Sequence, residues 1–581
     1  MRNLPENRSS IARVAPTSRV TSSSPNASSA RVAPTSRVAS SSPNASISRV
    51  APSSPNASRA SRTSRSSLVA IFSPASISAL LLTGLLAAAG CENTAGDCQL
   101  TAECSGAPGV TTSTSTTTQA TCVPSEASGA VDATCGFFVR ASAEAGGDGS
   151  PDKPFSTLAE AIGAANGSST RRVYACAETF AEALVLPAEL TLFGGLDCAN
   201  EWAFSEAGRT TVAPASGTPA RFEPGKTTRV ENVKLVAPPG APPDPASANP
   251  LSGGSSIAAV AAPLSTVELV RCDLEAGEGA PGASAPTLDP IAAAPDGAPG
   301  EAACMNGVGG VGGQQSCGDP PAPTSGGDGG NGGDAVSADG QPGDPGQGAS
   351  PATPGDPQAG GNPCTAGQPG SPGMVGKSGE GGKRTASLLD AAMKGSPGTP
   401  GEPGRPGNGG GGGGGGKACT MGRGAGGGAG GAGGCPGARG QAGGAGGSSI
   451  ALWAVGADVT LDQVTLTTKS GGAGGAGGTG QSGGPGGKGG LPGATADGSE
   501  ACAGGEGGKG GDGGPGGGGA GGHSIPLVWQ AVAPKLIATT LTPGAPGLGG
   551  AGGPTPDTPP DGEDGLPCDG FDIESGECES P

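Results

Sequence analysis

The chain has 581 residues, with 119 Gly, 57 Pro and aromatics at only 2%. Glycine and proline at that level point to low-complexity or fibrous segments, and so few aromatics leave material only for a thin core. The formal charge is −18, and residues 1–66 hold ten Arg and one acid, which leaves 22 bases against 49 acids in the rest; so acidic a body repels phosphate backbones and excludes nucleic acid as a partner.

Residues 1–66 are near-identical repeats, "RVAPTSRV" at 13–20 and 31–38 and "SSPNAS" at 23–28, 41–46 and 53–58. They carry no apolar period and therefore no folding content. Residues 67–90 are uncharged and follow Arg59, Arg62 and Arg65. A basic flank, an apolar run, small residues and then Cys91 make a secretory order. The end of it, "LLAAAGC" at 85–91, resembles a bacterial lipoprotein signal, with Ala88 where Leu is usual. The resemblance implies that Cys91 takes a diacylglycerol and becomes the new N-terminus. A plain transmembrane anchor is the competing reading. Glu92 after the Cys favours the outer membrane over inner-membrane retention. No Met lies between Met1 and Met305. Translation is therefore expected to start near Val50 or Leu68, with the repeats ahead of it misassigned.

Residues 91–135 hold Cys98, Cys104, Cys122 and Cys135 around "TTSTSTTT" (111–118). They read as an extended tether. The chain has 16 Cys, so 15 remain once Cys91 is set aside. The spacings Cys304–Cys317, Cys419–Cys435 and Cys568–Cys578 fit short disulfide loops in an oxidising compartment. One thiol is left over, or pairs between chains. There is no CxxC, and His523 is the only His, so no zinc site is read.

Residues 136–290 change character. Thr157 with Glu160 gives a capping-box start, and Phe155, Leu158, Ala161 and Ile162 share one helical face. Period-two segments follow at 171–180, 183–198 and 228–238. The order "DGSPDKPFSTLAEAI", "VYAC", "LTLFGGLDC" resembles the start of pectin-lyase-like right-handed parallel β-helices. The resemblance implies a solenoid with an N-terminal capping helix over its first coil.

Internal repetition points the same way. "VENVKL" (230–235), "VELVRCDL" (267–274), "VTLDQVTL" (459–466) and "KLIATTL" (535–541) align, and the last three follow Ser-Ile starts at 256, 449 and 524. Val233, Leu235, Leu269, Leu274, Leu461, Leu466, Leu536 and Leu541 are expected to face inward. Coils are thus expected at 136–290, 448–470 and 523–545. Cys176 and Cys198 lie 22 residues apart, about one coil, and their pairing is expected. A buried thiol at each, or pairing with the Cys98–Cys135 segment, remains the alternative.

Glycine-rich insertions fill 291–447 and 471–522, and 546–581 is a Gly/Pro-rich acidic tail. "GGAGGAGG" at 471–478 has period three, that of a polyproline II helix. These runs resemble PGRS-type glycine-rich domains and the glycine-helix bundles of some adhesive tips and antifreeze proteins. Packed glycine helices, disorder, and short collagen-like pieces such as "GSPGTPGEPGRPG" (395–407) all remain open.

Chemistry is thinly signalled. No carboxylate cluster spans the aligned coils, and "GGDGGNGGD" (326–334) fails the register of calcium-binding repeats. No catalytic residue, metal or cofactor is expected. The composite expectation is an all-β, non-catalytic, lipid-anchored envelope protein with a structural, adhesive or matrix-contact role. Its partners would be the membrane, envelope polysaccharide or matrix proteins. A β-helix protein that binds or cleaves polysaccharide is the alternative.

Overall fold

The computed structural model describes residues 122–127, 129–246, 251–318, 321–384, 393–555 and 560–579. Cys91, Cys98 and Cys104, the repeats at 1–66, the signal at 67–90 and most of the tether lie outside the described residues.

Alternating Val and Leu segments build three parallel sheets in a solenoid-like, all-β arrangement. In each coil the chain passes from the third sheet to the first and then to the second. Ser256–Ala261, Ser265–Val270 and Asp273–Glu275 make one coil, and Ser449–Val455, Asp458–Asp462 and Thr465–Thr467 the next. Ser524–Gln530, Lys535–Ile537 and Thr540–Thr542 make the last complete one. Register agrees with the internal repeats residue for residue. Ser256, Ser449 and Ser524 stack. So do Val230, Leu269, Leu461 and Leu536, and Leu235, Leu274, Leu466 and Leu541.

The bend from the first sheet into the second falls on Asn232, Arg271, Gln463 and Ala538, with φ of 60°, 50°, 56° and 48°. Each is a left-handed residue that redirects the chain without glycine. Inward Val233, Leu235, Leu269, Leu274, Leu461 and Leu466 are fully buried. Leu536 and Leu541 are only partly buried, because no strand of the described residues lies beyond theirs in the first and second sheets.

The helix Leu158–Asn166 starts at Thr157, whose hydroxyl accepts from the Glu160 N–H. Leu158, Ala161, Ile162 and Ala165 turn into the core. Glu182 accepts from the Leu158 and Ala159 N–H groups and ties the helix start to the first coil.

One pattern goes beyond alternation. In Ser449–Val455 and Ser524–Gln530 nearly every side chain is buried. Ile450, Trp453, Ile525 and Val528 face outward from the third sheet and form a second cluster with Met393 and Phe571. A strand covered on both faces reads as a continuous apolar run. The Gly/Pro-rich acidic tail at 546–581 also contributes strands. Gly570–Asp572 and Glu577–Cys578 extend the third sheet.

Candidate functional site

Glycine-rich chain leaves the solenoid after the second-sheet strands Asp273–Glu275, Thr465–Thr467 and Thr540–Thr542 and returns to the third sheet at Ser449–Val455, Ser524–Gln530 and Gly570–Asp572. It is held by backbone hydrogen bonds that recur every three residues. Gly472, Gly475, Gly478, Gln481, Gly484, Gly487 and Gly490 donate to Gly447, Gly444, Gln441, Ala438, Cys435, Ala432 and Ala429. This is the repeat of a threefold extended helix. Such packing begins at Gly279 and Gly282, earlier than the expected boundary at 291.

The eight-glycine run 409–416 lies at the centre. Every N–H and C=O of residues 410–416 is paired, to segments around 425–431, 365–368, 341–347, 327–333, 502–505 and 355–358. Six neighbours leave no side for a side chain. A Cβ on Gly412 would stand 1.9 Å from the Asp328 carbonyl oxygen.

Helices at the rim need fewer glycines. In 395–407, Gly398, Gly401 and Gly404 donate to 443, 440 and 437, while Thr399, Glu402 and Arg405 donate to 380, 377 and 374. Pro397, Pro400, Pro403 and Pro406 take the third position, where an N–H would have no partner. The collagen-like spelling is therefore that of a bundle-edge helix. Disorder is not what these residues show.

The acids have a similar task. Asp328 Oδ1 accepts from Gly312 N–H at 2.7 Å and Asn331 Oδ1 from Gly309 N–H at 2.9 Å. Asp296, Asp512, Asp561 and Asp564 cap Lys488, Gly483, Gly552 and Gly549 in the same way. The oxygens of "GGDGGNGGD" are thus used on backbone. Sequence reasoning missed this role, although Asp and Asn at three-residue spacing among glycines was the available signal.

Solenoid and bundle meet at the serine ladder. Ser256 Oγ donates to Pro238 O and accepts from Gly277 N–H. Ser449 Oγ donates to Gly277 O and accepts from Lys469 N–H. Ser524 Oγ donates to Lys469 O and accepts from Gly544 N–H. The Ser-Ile starts are therefore clasps that close each excursion.

His523 sits beside this ladder, fully buried. Its Nε2–H donates to Arg384 O at 3.1 Å, and its Nδ1 accepts from Leu566 N–H at 3.0 Å. Burial pulls its pKa down to about 4. A neutral ring with both nitrogens occupied is a clamp, with no lone pair free to take a proton.

Among the described residues twelve Cys form six disulfides. Cys176 joins Cys198 with Cα atoms 5.6 Å apart, Cys568 joins Cys578, and Cys122 joins Cys135. The expected short loops Cys304–Cys317 and Cys419–Cys435 are corrected. Cys304 pairs with Cys419, Cys317 with Cys435, and Cys364 with Cys502. Antiparallel helices bring distant residues to one level, which spacing along the chain does not reveal. Cys272 keeps a free thiol inside the solenoid, its pKa pushed up to about 12 by burial. From that position it cannot pair between chains. Asp497 Oδ2 lies 3.7 Å from Cys304 Sγ, but both neighbouring sulfurs are bridged and offer no thiolate.

On the outer face of the first sheet, Arg229, Glu268, Thr460 and Lys535 form one row in register. Glu231 is buried nearby between Arg229 and Arg271, and accepts from Ser125 Oγ at 2.7 Å. This is a neutralised network, without a pair of free carboxylates for acid–base work. No protein-family model matches this sequence, and no curated protein matches it.

Proposed function

We propose that this chain is an exported, lipid-anchored envelope protein that performs no catalysis. In this reading the three sheets close into a right-handed parallel β-helix, and Cys91 carries the lipid that holds it to the outer membrane. The solenoid presents the glycine-helix bundle for structural, adhesive or matrix contact, with envelope polysaccharide or matrix proteins as partners. One observation carries the reading: the bundle is crossed by Cys304–Cys419, Cys317–Cys435 and Cys364–Cys502. Structural disulfides form and persist in oxidising, extracytoplasmic compartments. The capping of backbone N–H groups by Asp328, Asn331 and Asp512 supports a structural task for these polar side chains.

The test is fatty-acid labelling of the wild-type chain and of Cys91→Ser, with surface protease accessibility in cells and binding of the full chain to polysaccharide and matrix panels. Label on the wild type alone, with accessible protein, is the expected result. Equal label in both chains rules out the anchor. Shortening of a bound polysaccharide would replace contact by cleavage as the activity.

A further inference from the structure

The turns of the bundle converge at one end. Cys304 is bonded to Cys419, and Cys364 to Cys502. Arg423 N–H donates to Met305 O, Ala418 N–H to Ala338 O, and Ala303 N–H to Ala494 O. The Gln358 side chain reaches Gly498 O and the Glu500 and Lys417 N–H groups. Five turns of the chain therefore meet in one cross-linked tip.

This tip exposes large apolar side chains. Val336 is 97% exposed, Met421 83%, Met305 67% and Val308 45%. Met305 and Val308 also line a shallow, open pocket of about 490 Å³, together with Asp334 and Arg423, which are 3.3 Å apart. Single exposed apolar residues are ordinary, but several around one pocket mark a contact surface. Other large apolar side chains of the bundle are also exposed, among them Met374, Val375, Leu491 and Leu548, but none of these lines this pocket. Methionines adapt to varied apolar partners, and the Cys304–Cys419 disulfide removes much of the ordering cost that mobile turns would carry. Five acids (Glu301, Asp334, Asp339, Asp497, Glu500) surround the patch against two bases, Lys417 and Arg423.

We infer that the disulfide-stapled tip of the glycine bundle is a docking surface for a protein segment with apolar side chains flanked by Lys or Arg. The apolar side chain enters the pocket beside Met305 and Val308, and the rim acids meet the flanking cations. The acidic rim disfavours an anionic lipid surface. The inference rests on the contact role proposed above, but its test needs no anchor. Failure of Cys91 labelling would remove that role's lipid and leave this result standing.

The experiment uses the purified full chain and three synthetic peptides: one with Phe and Leu flanked by Lys, one with the same apolar residues flanked by Glu, and one with Ser for Phe and Leu between the Lys. The first peptide should bind, and the other two should bind at least about tenfold more weakly. A triple variant Met305→Ser, Val336→Ser, Met421→Ser keeps the charge. It should lose at least about tenfold in affinity for the first peptide, with the Cys304–Cys419 link intact by peptide mapping. Unchanged affinity in this variant, or equal binding of the Ser peptide, reduces the contact to charge and overturns the inference. So does binding of phosphatidylcholine vesicles in place of peptide, or self-association of the chain that the variant abolishes.

Discussion

Leu461 and Gly412 are both buried, yet they are held in opposite ways. Leu461 stands between Leu269 and Leu536 in the solenoid, and side chains fill the space around it. Gly412 has six neighbouring helices, and its own N–H and C=O are the only groups it offers them. The solenoid is stabilised chiefly by apolar area removed from water. The bundle has almost none, and relies on hydrogen bonds worth about 1 kcal/mol net each. Ordering a residue costs roughly 1–2 kcal/mol. A bundle of glycines therefore needs another source of stability, and the three long disulfides supply it by restricting the unfolded chain.

Reduction should separate the two regions most. Loops of 115, 118 and 138 residues are closed by these bonds. In the chain-entropy picture each is worth about 5 kcal/mol. Hydrogen exchange under reducing conditions should show the bundle amides opening while the strands around Leu269 and Leu461 stay protected. Equal loss of protection in both would mean that the bundle has no stability problem of its own.

Gly412→Ala comes next. Its new methyl meets backbone on a chain that cannot move without breaking other bonds, and a cost of about 4 kcal/mol is expected. Gly361→Ala, with nothing within 4 Å of the added carbon, is the control and should change little. Chemical denaturation of both variants checks the pair.

In the solenoid the corresponding contrast is Leu461→Ala against Leu536→Ala. The fully buried site should lose about 3 kcal/mol, and the partly buried one at the open end clearly less. Equal losses in thermal unfolding would mean that the last coil is covered in solution.

The smallest effect is that of pH at the junction. His523 titrates near 6.5 when unfolded and near 4 when folded, so between these values the unfolded chain binds the extra proton. Stability is thus fully present above pH 6.5 and falls as pH drops, by about 2 kcal/mol between pH 7 and 5. His523 is the only His in the chain, so His523→Gln should flatten this window. Denaturation midpoints at the two pH values decide it.

The solenoid was legible in the sequence because its rule is local. Alternation along a strand and a repeated Ser-Ile start specify face and register together, as the stacked Ser256, Ser449 and Ser524 show. The bundle obeys a rule of neighbours. Period three was visible, but which helix lies beside which depends on where each turn reverses. Cys304 was therefore assigned to Cys317 when its partner is Cys419 at the same tip. His523 was placed at a junction by its position between insertion and coil, while the two bonds that clamp it come from residues 384 and 566. Asp328 and Asn331 were set aside as ion ligands because the register of "GGDGGNGGD" fails, but their task on the N–H groups of Gly312 and Gly309 depends on which helix lies alongside and was not visible.

The threefold repeat also constrains how the gene can change. Runs of glycine codons are prone to replication slippage. Around Gly412, losing or gaining one codon would rotate every later residue by about a third of a turn, exchanging the partners of each amide. Three codons added together would lengthen a helix by about 9 Å and leave every face as it was. Length variants that survive in this segment should therefore come in steps of nine nucleotides, a phase set by hydrogen bonding and independent of the reading frame's own step of three.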